Sequence, residues 1–502
     1  MVDDGRPRFH SPDRSAPTVR NIGPARSPNS ESDWFRTCRP TAHRYSCRTD
    51  RERVSRGVTE AGSCGSRVSR WPASVAARIG CRQQRSGCRR CACRLTHPRI
   101  EGLMVSKSRL KPARTRGERL TVAGLFAGIG GIEVGFHRAG HQTQMLCEID
   151  EGASRVLACR MPGVELHRDV RTLKALPRVD VVAAGFPCQD LSQAGRTAGI
   201  RGTNSSLVGQ VFRLLDATAH GPRWLLLENV SFMLQLDRGK AMRYLVDRLE
   251  ERGFSWAYRV VDTRAFGLPQ RRQRVILLAS RTDDPRPVIL ADHQDDEEWS
   301  FSPDVLCGFY WTEGLRGLGW AIDSVPTLKG GSTVGIPSPP AIWNPRTGDI
   351  LTPEIRDAER LQGFDADWTL PALQGDGVRR GHRWKLVGNA LSVPVARWVG
   401  ERLAQPGSFR PLTQLNLSRG FSWPRAAWGY KGTVFPVDVT MWPIRKPRPA
   451  LSEFLQFPLT PLSARAASGF LSRARISTLT FEDGFLDDIE RHVARMTNLA
   501  VA

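Results

Sequence analysis

Cys188 stands directly after a proline in GFPCQD (185–190), at the end of the apolar run VDVVAA (179–184). A thiol at the mouth of a buried strand is either a small core hydrophobe or a nucleophile, and partners elsewhere decide between the two. The run RWLLLENV (223–230) ends in Glu228 and Asn229. A carboxyl group at the end of an apolar strand is expected to have a raised pKa, which suits general acid work near neutral pH. LPQRRQR (268–274) reads as a strand edge whose alternation sends Gln270, Arg272 and Arg274 to one side. The bland alternative for that run is a solvated basic face.

A second group of residues looks built for a small ligand. FAGIGG (126–131) is a glycine turn between a strand and a helix, where a ligand can approach the backbone closely. It fails the dinucleotide fingerprint, because the sixth place counted from Gly128 is Glu133. The next strand ends in Glu148-Ile149-Asp150, where an acid in such folds bonds ribose hydroxyls, and the third ends at Asp169 in RDV (168–170). Acids at two successive strand ends beside a glycine turn suit a nucleoside cofactor without a phosphate chain, and S-adenosylmethionine fits that description.

The elements that must position these residues alternate in type. Strand candidates LTVAGLFA (120–127), TQMLCEID (143–150), ELHRDV (165–170), VDVVAAGFP (179–187) and RWLLLENV are separated by helical segments. Those helices are expected to Phe136, around 153–159, from about 206 to 220, and over KAMRYLVDRLEERG (240–253). This order predicts an α/β protein with a Rossmann-like, doubly wound, mostly parallel sheet, whose ligands sit at the carboxyl ends of the strands.

Composition bounds the partner. A chain of 502 residues exceeds what one core supports. A net charge of +23 makes a polyanion, nucleic acid first of all, the natural partner. No apolar run approaches a membrane span and the N-terminus has no signal-peptide core, so a cytoplasmic protein without a membrane partner is expected. Residues 1–103 hold 21 Arg, no Lys, 9 acidic residues and seven of the eleven cysteines, without hydrophobic periodicity. They are expected to be a disordered extension, with Met104 as the true start. Cys81, Cys88, Cys91 and Cys93 match no zinc-ligand spacing, so no metal is expected.

FAGIGG, EID, RDV, GFPCQDLS, ENV, QRRQR, ERLQGF (359–364) and GNALSVP (388–394) run in one order from about Leu120 to Leu403. In that series the chain resembles the C5-cytosine-specific DNA methyltransferases, a bacterial-type, S-adenosylmethionine-dependent family with a class I methyltransferase fold. The resemblance implies that Phe126, Gly128, Ile129, Gly131, Glu148, Ile149, Asp169, Val170, Pro187, Leu207, Asn389 and Ala390 line the cofactor site. It implies Cys188 as nucleophile, Glu228 as the acid on the base, and Arg272 and Arg274 as cations that orient the substrate. Arg360 carries over only as a scaffold residue. The cytosine would be flipped out of the duplex to reach the thiol.

The partner so implied is double-stranded DNA met by a monomer, with a companion restriction endonuclease as a further candidate. The rival readings are a tRNA cytosine-5 methyltransferase, whose Cys-Phe-Thr tripeptide is absent, a non-catalytic DNA-binding relative, and a Rossmann dehydrogenase. The expected organisation is a catalytic domain over 104–281 with a return at 351–404, and a short target-recognition region over 282–350. Residues 405–502 form a C-terminal region expected to share DNA recognition. There the run PIRKPRP (443–449) would touch phosphates, and Trp423, Trp428 and Trp442 would meet bases.

Overall fold

The computed structural model describes residues 119–187, 207–236, 238–297, 299–330, 338–374, 381–410 and 422–501. Cys188, the extension 1–103 with its cysteine cluster, and Met104 lie outside the described residues.

The strands fall where the apolar runs put them. They are β1 (Thr121–Leu125), β2 (Gln142–Cys147), β3 (Glu165–His167), β4 (Val181–Ala184), β5 (Trp224–Val230), β6 (Ser255–Asp262), β7 (Gln270–Arg271) and β8 (Gln273–Ser280). Helices α1 (Gly131–Arg138), α2 (Glu151–Arg160), α3 (Leu207–Ala217) and α4 (Lys240–Glu250) alternate with them. The parallel series β3-β2-β1-β4-β5 is followed by β8, antiparallel to both β5 and β6. Strands buried on both faces read as unbroken apolar stretches, which is why VVAA and WLLL carry no alternation.

Helices α5 (Arg286–Ile289), α6 (Ile355–Leu361), α7 (His382–Asn389) and α8 (Val393–Ala404) follow. Val288, Ile289 and Leu290 share one hydrophobic cluster with Val395, Trp398 and Leu403 of α8, so these residues after β8 pack against the large sheet.

A second, antiparallel sheet has the order β10-β9-β12-β13-β16, from β9 (Cys307–Phe309), β10 (Ala321–Ile322), β12 (Ala341–Asn344), β13 (Asp349–Thr352) and β16 (Thr460–Pro461). Between them β11 (Val325–Pro326) pairs with β7 of the catalytic part.

The C-terminal hundred residues are not one unit. Strands β14 (Ala426–Tyr430) and β15 (Thr433–Pro436) extend the large sheet beyond β6, which would otherwise leave an open edge. Residues from α9 (Leu451–Phe454) onward complete the second lobe. There β16 pairs with β13, and α10 (Ala464–Arg475) and α11 (Phe485–Val501) bring Phe470 and Phe485 against Phe309 at ring separations of 5.1 and 5.0 Å.

This placement corrects the expected role of the tryptophans. Trp423 and Trp442 are buried in the core, and Trp423 donates its indole N–H to the Gly239 carbonyl at 2.9 Å. Trp428 stacks on Phe435 at 4.2 Å. Trp423 and Trp442 are thus core residues, while Trp428 is half-buried on β14 with Arg286 over its ring. Within 443–449, Arg448 turns inward to Asp323 and lies over Trp299, while Arg445 stays exposed.

Candidate active site

Parallel pairing of β4 with β5, in register from Val181↔Trp224 to Ala184↔Leu227, makes Gly185-Phe186-Pro187 leave the sheet level with Glu228, Asn229 and Val230. The Asn229 amide donates to the Phe186 carbonyl at 2.9 Å, and its own carbonyl accepts from the Val230 N–H at 2.9 Å. Phe186 is buried and Pro187 exposed. The chain is therefore anchored at Phe186, two residues before Cys188. Asn229 has a part that the motif reading did not assign. Alternation beside Glu228, which aims neighbouring side chains to opposite faces, was the available signal.

Glu228 is 8% exposed. Burial pushes its carboxyl pKa up, while the Arg274 and Arg272 charges pull it down. Arg274 Nε lies 3.0 Å from Glu228 Oε1, and a Cβ at Gly185 would come within 3.1 Å of Oε2. The β4 exit thus runs directly along the carboxylate.

The alternation expected of QRRQR is present, with Gln270, Arg272 and Arg274 all buried. Their charge faces inward rather than forming a solvated face. Arg272, 0% exposed, donates through Nη2 to the carbonyls of Gly388 at 3.1 Å and Ala390 at 2.6 Å, and through Nη1 to Leu328 at 3.4 Å. Gln270 donates to the Leu361 carbonyl at 2.7 Å and accepts from the Leu328 N–H at 3.1 Å. These two side chains bind the return segment to the sheet. Arg274 is the one whose charge meets the candidate acid. Arg360 ties α6 to the C-terminal part, donating to Asp357 and to the Phe454 carbonyl at 2.6 Å each.

At the end of β1 the chain turns through Phe126 (φ 55°) and Gly128 (φ 57°). Glu148, buried at the end of β2, accepts from the Gly128 N–H at 2.7 Å and the Asp150 N–H at 2.8 Å. Desolvation pushes its pKa up, although these hydrogen bonds oppose the shift. Ile149 beside it is 61% exposed. Asp150 caps α2 and meets His382 at 2.9 Å and Lys385 at 3.0 Å, which hold its pKa well below the usual range despite its burial.

Asp169 is engaged by the Arg171 guanidinium at 2.7–3.0 Å, which lowers its pKa. Ile129 and Val170 are buried, Leu207 opens α3, and Asn389 is exposed at the end of α7 beside buried Ala390. Gly131 packs on the return segment so closely that a Cβ there would overlap the Leu391 carbonyl oxygen.

The residues fit S-adenosylmethionine. No atom lies within 4 Å of where a Gly128 Cβ would stand, so the turn opens onto free space. An exposed apolar residue and a buried acid with lone pairs to spare face the same strand end, as a nucleoside requires. Among the described residues no cluster of side chains could hold a metal ion.

Residues 120–304 match the family model for C-5 cytosine-specific DNA methylase. The chain is 50% identical over 382 residues to the type II methyltransferase M2.BsuMI of Bacillus subtilis (strain 168), covering 74% of this chain and 98% of that protein. Identity to M.BsuFI of Bacillus subtilis is 36% over 316 residues, 57% of this chain and 73% of the relative. The crystal structure of S. pombe Dnmt2 methyltransferase aligns over 57% of this chain and 98% of that one, with 17% identity and a TM-score of 0.43. The chain belongs to the C-5 cytosine-specific DNA methylase family, whose methyl donor is S-adenosylmethionine.

Proposed function

We propose that Cys188 is the nucleophile and Glu228 the acid of cytosine-5 methylation in duplex DNA, with the cytosine held at the carboxyl ends of β4 and β5. Carbon 5 of cytosine is too poor a nucleophile to take a methyl group unaided. The Cys188 thiolate adds to carbon 6, forming the C–S bond and pushing the ring electrons toward carbon 5. Glu228 holds a proton at ring nitrogen 3 and stabilises the charge that develops there. When bound, S-adenosylmethionine supplies the methyl group from its sulfonium to carbon 5. Loss of the carbon 5 proton then lets the C–S bond break and returns Cys188.

Arg274 orients the Glu228 carboxyl, and Arg272 acts through the backbone of Gly388–Ala390. Phe126, Gly128, Ile129, Gly131, Glu148, Ile149, Asp169, Val170, Pro187, Leu207, Asn389 and Ala390 surround the donor.

The observation that carries this reading is the Asn229–Phe186 hydrogen bond beside the Glu228–Arg274 pair. It anchors Phe186, two residues before Cys188 in the chain, next to a desolvated carboxyl. Sequence recognition falls to the second lobe, built from 301–352 with 451–501. The enzyme works as a cytoplasmic monomer beside a restriction endonuclease.

Labelled methyl incorporation into duplex DNA and into RNA tests the substrate class. Cys188→Ser should lose nearly all transfer while keeping cofactor binding, and Glu228→Gln should be impaired more gently. A serine variant of near wild-type rate would overturn the mechanism.

A further inference from the structure

Arg271 is the arginine of QRRQR that the architecture leaves unpaired. Arg272 donates through both Nη atoms to backbone carbonyls and Arg274 pairs with Glu228, whereas the Arg271 guanidinium makes no hydrogen bond or ion pair with any described residue. It is nonetheless half-buried, on the short strand β7 where the catalytic part meets the second lobe.

Its charged surroundings come from both sides. Asp262 and Arg264 stand at the end of β6, and Tyr310 and Glu313 follow β9. Both carboxylates are already committed. Asp262 is held by Arg264 at 2.9–3.0 Å, and Glu313 pairs with Lys329, whose ammonium lies 3.6 Å from the centroid of the Tyr310 ring. Two carboxylates thus face three cations, and the excess charge rests on Arg271. Burial lowers its pKa, with the neighbouring acids compensating only in part. A partly desolvated cation without a partner is costly in the free protein, and that cost is returned when an anion arrives.

The register locates that anion. β8 is antiparallel to β5, with Val230 opposite Arg274 and Glu228 opposite Ile276. Continuing back from Arg274, the chain carries Arg271 past the carboxyl end of β5, the end at which Glu228 stands, with its side chain across the strand from those of Arg272 and Arg274. Three residues of extended chain span about 10 Å. That is within a few nucleotide steps of the target, at roughly 3.4 Å of axis per step.

We propose that Arg271 binds a backbone phosphate of the DNA strand that carries the target cytosine, at the crease between the two lobes. This inference rests on the DNA-methylating reading above and adds a specific contact to it.

The test uses the full chain, sheared genomic duplex DNA that wild type methylates, and Arg271→Gln and Arg271→Lys. DNA affinity is measured across a salt series, with cofactor binding followed in parallel. Arg271→Gln should bind DNA several-fold more weakly and lower the slope of log affinity against log salt by about 0.9. Arg271→Lys should keep the wild-type slope. Cofactor affinity should not change, and the melting temperature should hold, because the side chain has no hydrogen bond to lose.

An unchanged slope in Arg271→Gln overturns the proposal, as does a loss of several degrees in melting temperature in both variants. Wild type that binds duplex DNA but transfers no methyl group to it would instead overturn the enzymatic reading. The salt slope, being a binding measurement, still decides on Arg271.

Discussion

The side-chain amide of Asn229 and the carbonyl of Phe186 are joined across 2.9 Å, two residues ahead of Cys188 in the chain. Asn229→Ala would leave a buried carbonyl unsatisfied and release Phe186-Pro187, the residues that lead into the proposed nucleophile Cys188. We expect kcat to fall by about 100-fold while KM for the methyl donor changes little, since a misplaced reacting group costs on that order. Steady-state kinetics with each substrate varied in turn would check this. A rise in the donor's KM with kcat intact would remove Asn229 from its positioning role.

The two glycines of the cofactor turn should respond differently. A methyl group at Gly131 collides with the Leu391 carbonyl, so Gly131→Ala should destabilise the fold by about 1–3 kcal/mol, visible in denaturant melts. A methyl group at Gly128 meets no protein atom, and its cost is the left-handed backbone alone, about 1–2 kcal/mol. If the open space at Gly128 takes the donor as proposed, Gly128→Ala should lose cofactor affinity more than Gly131→Ala does. Calorimetric titration of both variants separates the effects.

Glu133, on the first turn of α1, is a buried acid outside the proposed chemistry. Its carboxyl occupies the space beside Gly124 of β1, where a Cβ would overlap it, and its Oε2 is buried with no hydrogen-bond partner in the described structure. Burial, and then the charge of Glu148, push its pKa up from 4.5 to about 7. A folded-state pKa above the unfolded one means that this group's contribution is complete below about pH 4.5 and is lost as pH rises through 7. Glu133→Gln should therefore be more stable than wild type at pH 8, by roughly 3 kcal/mol at most, and nearly equal to it at pH 4. Urea melts at the two values would decide, and a variant weaker at pH 8 would show that the ionised form is the one accommodated.

Truncation after Gln405 should yield an insoluble protein rather than one of altered selectivity. It removes β14 and β15 from the edge of the large sheet, together with the helices that cover Phe309 and Trp343. Exchange with a relative of different selectivity should instead carry 301–352 and 451–501 together. We expect the paired exchange to move the methylated site, read by bisulfite sequencing, and either half alone to unfold. Original selectivity in a folded paired exchange would exclude this lobe as the reader.

Much of the catalytic part was legible from the chain because its signals are local. VVAA and WLLLENV are unbroken apolar runs, and the buried series Gln270, Arg272, Arg274 follows from alternation at a strand edge. What those arginines touch was not legible. Arg272 serves carbonyls more than a hundred residues away, and no periodicity encodes such a partner. The tryptophans failed for a related reason. Trp423 looks identical in sequence whether it meets a base or fills the space beside Trp256 and Tyr258, as it does here. The split of the C-terminal residues between two sheets is likewise a matter of which edges stand open, which appears only once the sheets exist.

The pairing of β13 with β16 joins Leu351 and Thr352 to Pro461 and Thr460, and α11 (Phe485–Val501) brings Phe485 against Phe309 of the same sheet. Contacts so distant in sequence form slowly, and during synthesis this pairing cannot form until residues 460–461 have left the ribosome. The five parallel strands and β8 are complete some two hundred residues earlier. At that point a nascent chain still lacks the Gly388 and Ala390 carbonyls that take Arg272 and the β14 strand that pairs with β6. Neither sheet is therefore closed by neighbouring segments: the large sheet waits for β14 and the second sheet for β16, and both lobes mature together rather than in chain order.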